Sequence, residues 1–490
     1  MDKILEASDY IKKYKGNVDK RPHFHFTPEI GWMNDPNGFS FFKGNYHLFY
    51  QHNPYDVVWN NIHWGHATTT DFIRWSYQPT ALANDKSYDE NGCFSGSAIQ
   101  KDGKLYLMYT GHIDPNLNGI KNEEQIRQYQ CIAVSEDGIT FAKHENNPVI
   151  AERELPEGYL ICDFRDPKVW QEGDMYYCVL AVRNTNRRGE ILMFSSSDLI
   201  EWTFASSIYQ SKPEDNLLLE CPDYFQVDGK DVLLFSTMPC DPQYRGDISH
   251  KTAYAIGKLD YRQGQFFVES EGLLDYGSNF YAPQTTEGEF GERLLIGWMQ
   301  KWTQAAPPEG ILFNGMMSLP RELSVRGNQL IQRPVKQIQS YFAAASMLEE
   351  VSLLQDEVLP LPEGDSGHLH VDIADEEGQF MIELRKSGNQ AVRIQVDRRS
   401  GKLELSSDYG DEQPVALELS RQGSIELDIY MDLYSVELFL NNGEKVWTTT
   451  SYEKQGRGLS ISAASACSIA KIVYAPFLLE QTEQLAGLAE

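Results

Sequence analysis

Gly44-Asn45-Tyr46-His47-Leu48-Phe49-Tyr50-Gln51, GNYHLFYQ, decides the fold because it recurs. A glycine opens a short run rich in aromatic and branched residues, the composition of a β-strand entered through a turn. The unit returns as GKLYLMYTG from Gly103, GDMYYCVLA from Gly173, GKDVLLFST from Gly229 and GERLLIGWM from Gly291, at spacings of 59, 70, 56 and 62 residues. In most copies a further strand ends in an Asp-x-x-x-aromatic turn, as from Asp71 to Trp75, Asp137 to Phe141 and Asp198 to Trp202. The fourth copy has the looser LDYRQGQF and the fifth runs into MMSLPREL. Five repeats made of strands and turns predict five blades of a β-propeller, longer than the roughly 40–50 residues of common blade repeats and so with room for loops. A β-sandwich with accidental self-similarity is the alternative; the persistence of the repeat from residue 44 to residue 299 argues against it.

Working outward, 490 residues exceed what one core usually organises. After the LPREL segment, stretches such as HLHVDIA, QFMIELR, SIELDIYM and VELFLNNGEKVWTTT alternate apolar and polar residues, the pattern of strands covered on one face. The expectation is an all-β chain: a five-bladed β-propeller over 1–334 with an N-terminal extension over 1–20, then a linker over 335–350 read as a short connecting helix. A β-sandwich over 351–490 follows, ending in LLEQTEQLAGLAE, a tail of helix-like composition.

The balance of 43 Lys and Arg against 71 Asp and Glu gives a net charge of −28, which disfavours nucleic acid and anionic membrane as partners and favours a small neutral ligand. Seven scattered cysteines without a C-x-x-C pair read as reduced thiols, and no apolar run resembles a signal peptide or membrane span, so the chain is expected in the cytoplasm. The sequence leaves the oligomeric state open, homo-oligomers included.

Just before the repeat glycine each blade should place its innermost strand, and three blades carry an acid there. Asp35 lies nine residues before Gly44, Asp166 seven before Gly173 and Glu220 nine before Gly229. A proline follows each within two residues (Pro36, Pro167, Pro222), bending the backbone and giving no amide hydrogen to a ladder. Any one acid-proline pair is an ordinary turn. Asp114-Pro115 and Asp241-Pro242, which fall after the repeat strand, are read that way. Three in register place three carboxylates at one mouth of a channel.

Converging carboxylates serve either a metal or glycosyl transfer. No D-x-D-x-D-G loop occurs, and His23, His25, His63 and His66 read as hydrogen-bonding or packing residues, so neither a metal nor a cofactor is expected. Glycosyl transfer needs one ionised and one protonated carboxyl across the scissile bond, with aromatic platforms and polar donors nearby. Trp32, Asn34, Gln51, Trp59, Trp64, Phe94, Ser95, Arg165, Tyr281 and Trp298 supply these.

In order along the chain, WMNDPNG, FYQHNP, HWGHATTTD, CFSGSA, FRDPKVW, ECPDYF, FYAPQT and LPREL resemble glycoside hydrolase family thirty-two, the invertases, sucrose-6-phosphate hydrolases and fructan hydrolases; MDLYSVELFLNNGEKV resembles that family's C-terminal sandwich. The resemblance implies retaining hydrolysis of a β-fructofuranoside through a covalent fructosyl intermediate. It implies Asp35 as nucleophile, Glu220 as general acid and then base, and Asp166 as stabiliser of the transition state, and it places Asn34, Gln51, Trp59, Phe94, Ser95 and Arg165 in the substrate pocket. Asp35 is then expected to stay ionised among donors and Glu220 to hold its proton, the two about 5–5.5 Å apart. Two departures stand out: DLYS around Tyr434 replaces the family's frequent DRSS, and FTPEIG puts Glu29 near the expected pocket mouth. A fructosyltransferase shares the first step, and a non-catalytic glycan-binding propeller is the alternative from another class. Arg183, Arg187, Arg188 and Lys301 are candidates for a phosphate pocket.

Overall fold

Each repeat glycine has a left-handed backbone, with φ of 79°, 72°, 59°, 76° and 83° at Gly44, Gly103, Gly173, Gly229 and Gly291. A Cβ there would meet nothing within 4 Å, so the turn and not crowding asks for glycine. At three of them the preceding residue is left-handed too (Lys43, Asp102, Asp228), the two-residue hairpin whose twist matches the strands it joins. The computed structural model describes residues 2–15, 21–117, 119, 122–212, 217–240, 250–304, 306–410 and 413–478. The Asp241-Pro242 pair and all of the C-terminal tail beyond Leu478 lie outside them.

The hairpins build five antiparallel sheets in chain order. Their first two strands are Gly31–Phe42 with Asn45–Asn53, Gly92–Lys101 with Lys104–Ile113, Tyr159–Glu172 with Met175–Asn184, Leu217–Val227 with Lys230–Pro239, and Tyr281–Glu287 with Arg293–Trp298. Two further strands complete each sheet, and the short strand Phe313–Asn314 returns to pair in parallel with Gly31–Phe42. The apolar cores lie between successive sheets: Phe49 and Leu107 between the first and second, Ile132 and Phe164 between the second and third, Ile191 and Leu233 between the third and fourth. Ile256 and Leu295 join the fourth to the fifth, and Leu48 and Ile296 close the cycle from the fifth to the first.

The helix Lys3–Tyr14 is capped by Asp2, whose carboxylate accepts the Ile4 N–H at 3.0 Å, and it packs against the strand Ser76–Leu82. After the fifth sheet comes a 3-10 helix over Lys336–Tyr341, and Ser346–Leu353 is already a strand. The helical character expected of 335–350 is confined to its first half, since from Ser346 the backbone pairs with Cys467–Pro476. Two six-stranded sheets follow and enclose one core that includes Leu369, Ile382, Ile394, Ile429 and Trp447.

A buried charge network joins these sheets to the first five. Arg321, with no exposed surface, donates to Asp275 at 3.1 Å and Glu437 at 2.6 Å. Glu437 also accepts from His25 at 2.8 Å, and the other ring nitrogen of His25 lies 3.0 Å from Asp432. Burial alone lowers a histidine pKa; the two carboxylates outweigh it here and raise His25 to about 9, while Asp432 falls to about 2. His25 thus plays the hydrogen-bonding part expected of it, as an imidazolium.

A histidine pKa raised above its unfolded value stabilises the fold fully below about pH 6.5, and that contribution is lost as pH rises through about 9. The expected loss is on the order of 3 kcal/mol across that window. Thermal melts should show it as a falling midpoint in the parent, and His25→Gln should be less stable at pH 6 and lack most of the fall.

Candidate active site

The first strand of every sheet breaks its ladder at nearly the same level. Met33 pairs with His52 and Pro36 with Tyr50, so Asn34 and Asp35 oppose Gln51 alone. The same excess occurs at Ser95, between Phe94 and Gly96, and at Asp166-Pro167, Cys221-Pro222 and Ala282-Pro283. Asp166, Cys221 and Ala282 are left-handed, with φ of 64°, 48° and 48°. A bulge of this kind turns successive side chains out of strict alternation. Asn34 and Asp35, and likewise Arg165 and Asp166, therefore both face one cavity of about 340 Å³.

The amide hydrogens freed by the bulges are caught by the preceding sheet. Gly96 N–H donates to Asn37 Oδ1 at 3.1 Å, Asp166 N–H to Thr110 Oγ1 at 3.0 Å, Cys221 N–H to Asp166 Oδ2 at 2.9 Å, and Ala282 N–H to Ser236 Oγ at 3.0 Å. These bonds stitch each of the second to fifth sheets to the one before it and fix their relative height.

Asp35, Asp166 and Glu220 all line this cavity. Asp35 Oδ1 accepts from Asn34 at 3.1 Å, and Oδ2 accepts from Ser95 at 2.6 Å, Gln51 at 3.4 Å and the Cys221 thiol at 3.4 Å. Burial raises the Asp35 pKa, with the charge of Glu220 adding to it and the Ser95 and Asn34 donors opposing it. Asp166 is pushed up to about 7 by burial and by the charges of Glu220 and Asp35, against the pull of Arg165. Glu220 accepts from Arg165 Nη2 at 2.6 Å on one oxygen and from the Tyr281 hydroxyl at 2.5 Å on the other. Arg165, buried beside three carboxylates (Asp163, Asp166 and Glu220), is held in its charged form.

Of the sequence candidates, Asn34, Gln51, Trp59, Phe94, Arg165 and Tyr281 stand in the cavity wall. Ser95 acts from behind it, through Asp35. Trp59 meets Phe94 edge-on with centroids 5.8 Å apart, and Phe94 stacks on His112 at 4.0 Å. Trp32, Trp64 and Trp298 are buried beneath the wall and are not platforms. Trp32 has a positioning part: its indole N–H donates to Asn34 Oδ1 at 2.8 Å, which aims the Asn34 amine at Asp35. Trp302, not among the sequence candidates, also lines the cavity beside Trp59, Phe94 and Tyr281; it stacks on Trp32 at 6.1 Å and is 38% exposed.

Asp114, read as part of a plain turn, also lines the cavity, as do His112, Gln128 and Asp163. Their signal was positional: His112 and Asp114 end the strand after a repeat glycine and one beyond it, and Asp163 lies two residues before Arg165. Arg183 is buried in ion pairs with Asp163 and Glu123, both at 2.7 Å. Arg187 and Arg188 donate to the backbone carbonyls of Cys240 and Ser211. Neither these three arginines nor Lys301 is among the cavity's described lining residues, and Glu29 pairs with Lys15 at 3.0 Å away from the wall.

Comparison with known proteins agrees with this geometry. The model of the glycosyl hydrolases family 32 N-terminal domain matches residues 25–334, and that of the glycosyl hydrolases family 32 C terminal matches residues 339–475. The chain is 35% identical over 464 residues to a sucrose-6-phosphate hydrolase of Escherichia coli, spanning 91% of this chain and 93% of that protein. It is 35% identical over 476 residues to a raffinose invertase of Escherichia coli, spanning 94% and 96%. A solved Bombyx mori GH32 β-fructofuranosidase is 31% identical with a TM-score of 0.82, covering 97% of this chain and 98% of that one.

A carboxyl raised from 3.8 to about 7 favours the fold when protonated, so its contribution is present below about pH 4 and is lost as pH rises through 7. Asp166→Asn should remove that penalty. The variant should melt above the parent at pH 8, by up to about 4 kcal/mol in stability, and the two should converge at pH 4.

Proposed function

The chain belongs to glycoside hydrolase family 32, and we propose that it hydrolyses terminal β-D-fructofuranosides (sucrose, sucrose 6-phosphate or short fructo-oligosaccharides) with retention of configuration. The observation that carries this reading is the meeting of Asp35, Asp166 and Glu220 in one cavity, linked through Cys221 and Arg165.

In this reading Asp35 attacks the anomeric carbon of the fructosyl unit while Glu220 protonates the departing glycosidic oxygen. Glu220 then takes a proton from the water that releases fructose from Asp35. The donors on both oxygens of Asp35 fix its plane for attack, and Arg165 stands ready to receive the Glu220 carboxylate once its proton has gone. Asp166, poised near pH 7, exchanges hydrogen bonds with fructose hydroxyls. Asn34, Gln51 and Arg165 supply polar contacts, and Trp59, Phe94 and Tyr281 supply faces and a hydroxyl.

We further infer that the five sheets are the blades of a β-propeller within 1–334 and that the two six-stranded sheets form a β-sandwich within 351–490. The cyclic order of the cores and the two family matches support that division. Seven unpaired thiols suit a reducing compartment and so a cytoplasmic site of action.

Purified protein assayed side by side on sucrose, sucrose 6-phosphate and 1-kestose should release fructose; on sucrose, glucose and fructose should appear in equal amounts, whereas transfer to sugar would leave glucose in excess. Asp35→Asn and Glu220→Gln should each lower kcat by roughly 10³-fold or more. Fructose release that survives either change would defeat the assignment of roles.

A further inference from the structure

The strands that bring the three acids together run on past them. A few residues beyond Asp35, Asp166, Glu220 and Tyr281, the same strands line a second cavity of about 540 Å³ at their opposite end. It shares no lining residue with the cavity of the acids.

Two cations stand in its wall, Lys168 and Arg293, and they are served unequally. Lys168 Nζ donates to Asp223 Oδ2 and to the Thr285 carbonyl, both at 2.7 Å. Asp223 also accepts the Thr285 N–H at 2.7 Å and the Thr285 hydroxyl at 2.8 Å, so both of its oxygens are occupied. Arg293 has no such partner. Its guanidinium lies over the Phe225 ring at 5.3 Å, donates no hydrogen bond to any described residue, and holds its Nε–H enclosed without an acceptor. Burial lowers the Arg293 pKa, and the charges of Asp223 and Glu287 oppose this without forming an ion pair among the described residues.

A guanidinium taken out of water and left without acceptors is costly. Its planar fork matches an oxyanion that offers two oxygens side by side, as a carboxylate or a phosphate does. The charges at the inner wall agree. Lys168 and Arg293 against Asp223 leave a positive charge uncompensated, and the two cations are near enough to repel: burial lowers the Lys168 pKa against the pull of Asp223, and the charge of Arg293 adds to the lowering. Glu172 and Glu287 stand exposed at the rim, where water screens them. They act against a highly charged ligand more than against a small one.

We propose that this second cavity binds a small oxyanion, gripped by the Arg293 fork with the Lys168 ammonium beside it. The site is separate from the three acids and does not rest on the hydrolase reading.

Isothermal titration of the full chain with inorganic phosphate and with acetate, against chloride at matched ionic strength, tests it. At least one of the two oxyanions should bind at one site with a Kd of about 1 mM or tighter, and chloride more weakly than either. The tighter of the two identifies the group as phosphate or carboxylate. Arg293→Gln should weaken binding about tenfold or more, the effect of losing one or two charge-assisted hydrogen bonds, and Arg293→Lys, which keeps the charge without the fork, by less. Gln226→Glu changes an exposed rim residue of the same cavity and should weaken binding about threefold by repulsion, which keeps the test open if the Arg293 variants fail to fold by circular dichroism. No binding of either oxyanion to the parent, or equal binding of chloride, would overturn the site. So would an affinity that a folded Arg293→Gln protein or the Gln226→Glu protein leaves unchanged, since the anion would then sit elsewhere, Arg165 included.

Discussion

The site depends on one backbone constraint: five strands packed in cyclic order must each interrupt their hydrogen-bond ladder at the same height. An uninterrupted strand would send neighbouring side chains to opposite faces, and Asn34 could not stand beside Asp35, nor Arg165 beside Asp166, in the same cavity. The interruption has a cost of about 1 kcal/mol or more at each left-handed non-glycine residue. Proline after the bulge residue limits it, having no N–H to orphan, and the hydrogen bonds from Cys221 to Asp166 and from Ala282 to Ser236 offset it. One of these bonds does two jobs, since the Cys221 amide that satisfies the bulge also grips a site carboxylate.

Charge is handled differently in the two buried networks. Around His25 and Arg321 cations and carboxylates alternate, so Asp432 lies low, at about 2, and the network behaves as a clamp between the first five sheets and the last two. At the cavity acids outnumber the single arginine, and both Asp35 and Asp166 lie above their usual range. Within the clamp burial still raises the pKa of Asp275, against the pull of Arg321, and in the cavity burial and the charge of Glu220 oppose the ionisation of Asp35, against the Ser95 and Asn34 donors. The instability built in around Asp166 is what a purely structural site would have lost.

Much of this was legible in the chain because turns and bulges are written in glycine and proline. The repeat glycines announced five hairpins, and the acid-proline pairs announced three of the five ladder breaks. Ser95-Gly96 and Ala282-Pro283 mark the other two; with no acid beside them they were read through Phe94, Ser95 and Tyr281 as pocket residues and not as ladder breaks. The tryptophans were legible in part: Trp59 lines the cavity as expected, whereas Trp32 sits in the most suggestive motif yet packs inward, and Trp302, outside every motif, covers it. Asp114 was discounted for lying after its repeat strand, although the end of that second strand reaches the same cavity as the bulge of the first. The clamp was invisible because Arg321 and Glu437 are 116 residues apart and neither local pattern names the other.

The central claim is that Asp35 bonds to fructose and Glu220 manages the proton and the water. β-D-Fructofuranosyl fluoride needs no acid to depart, so Glu220→Ala protein given this donor should accumulate its intermediate for want of a base to activate water. Rapid quenching followed by peptide mass mapping should find one fructosyl unit on the peptide carrying Asp35. A donor consumed with no adduct on that peptide, or an adduct on Asp166 instead, would contradict the account.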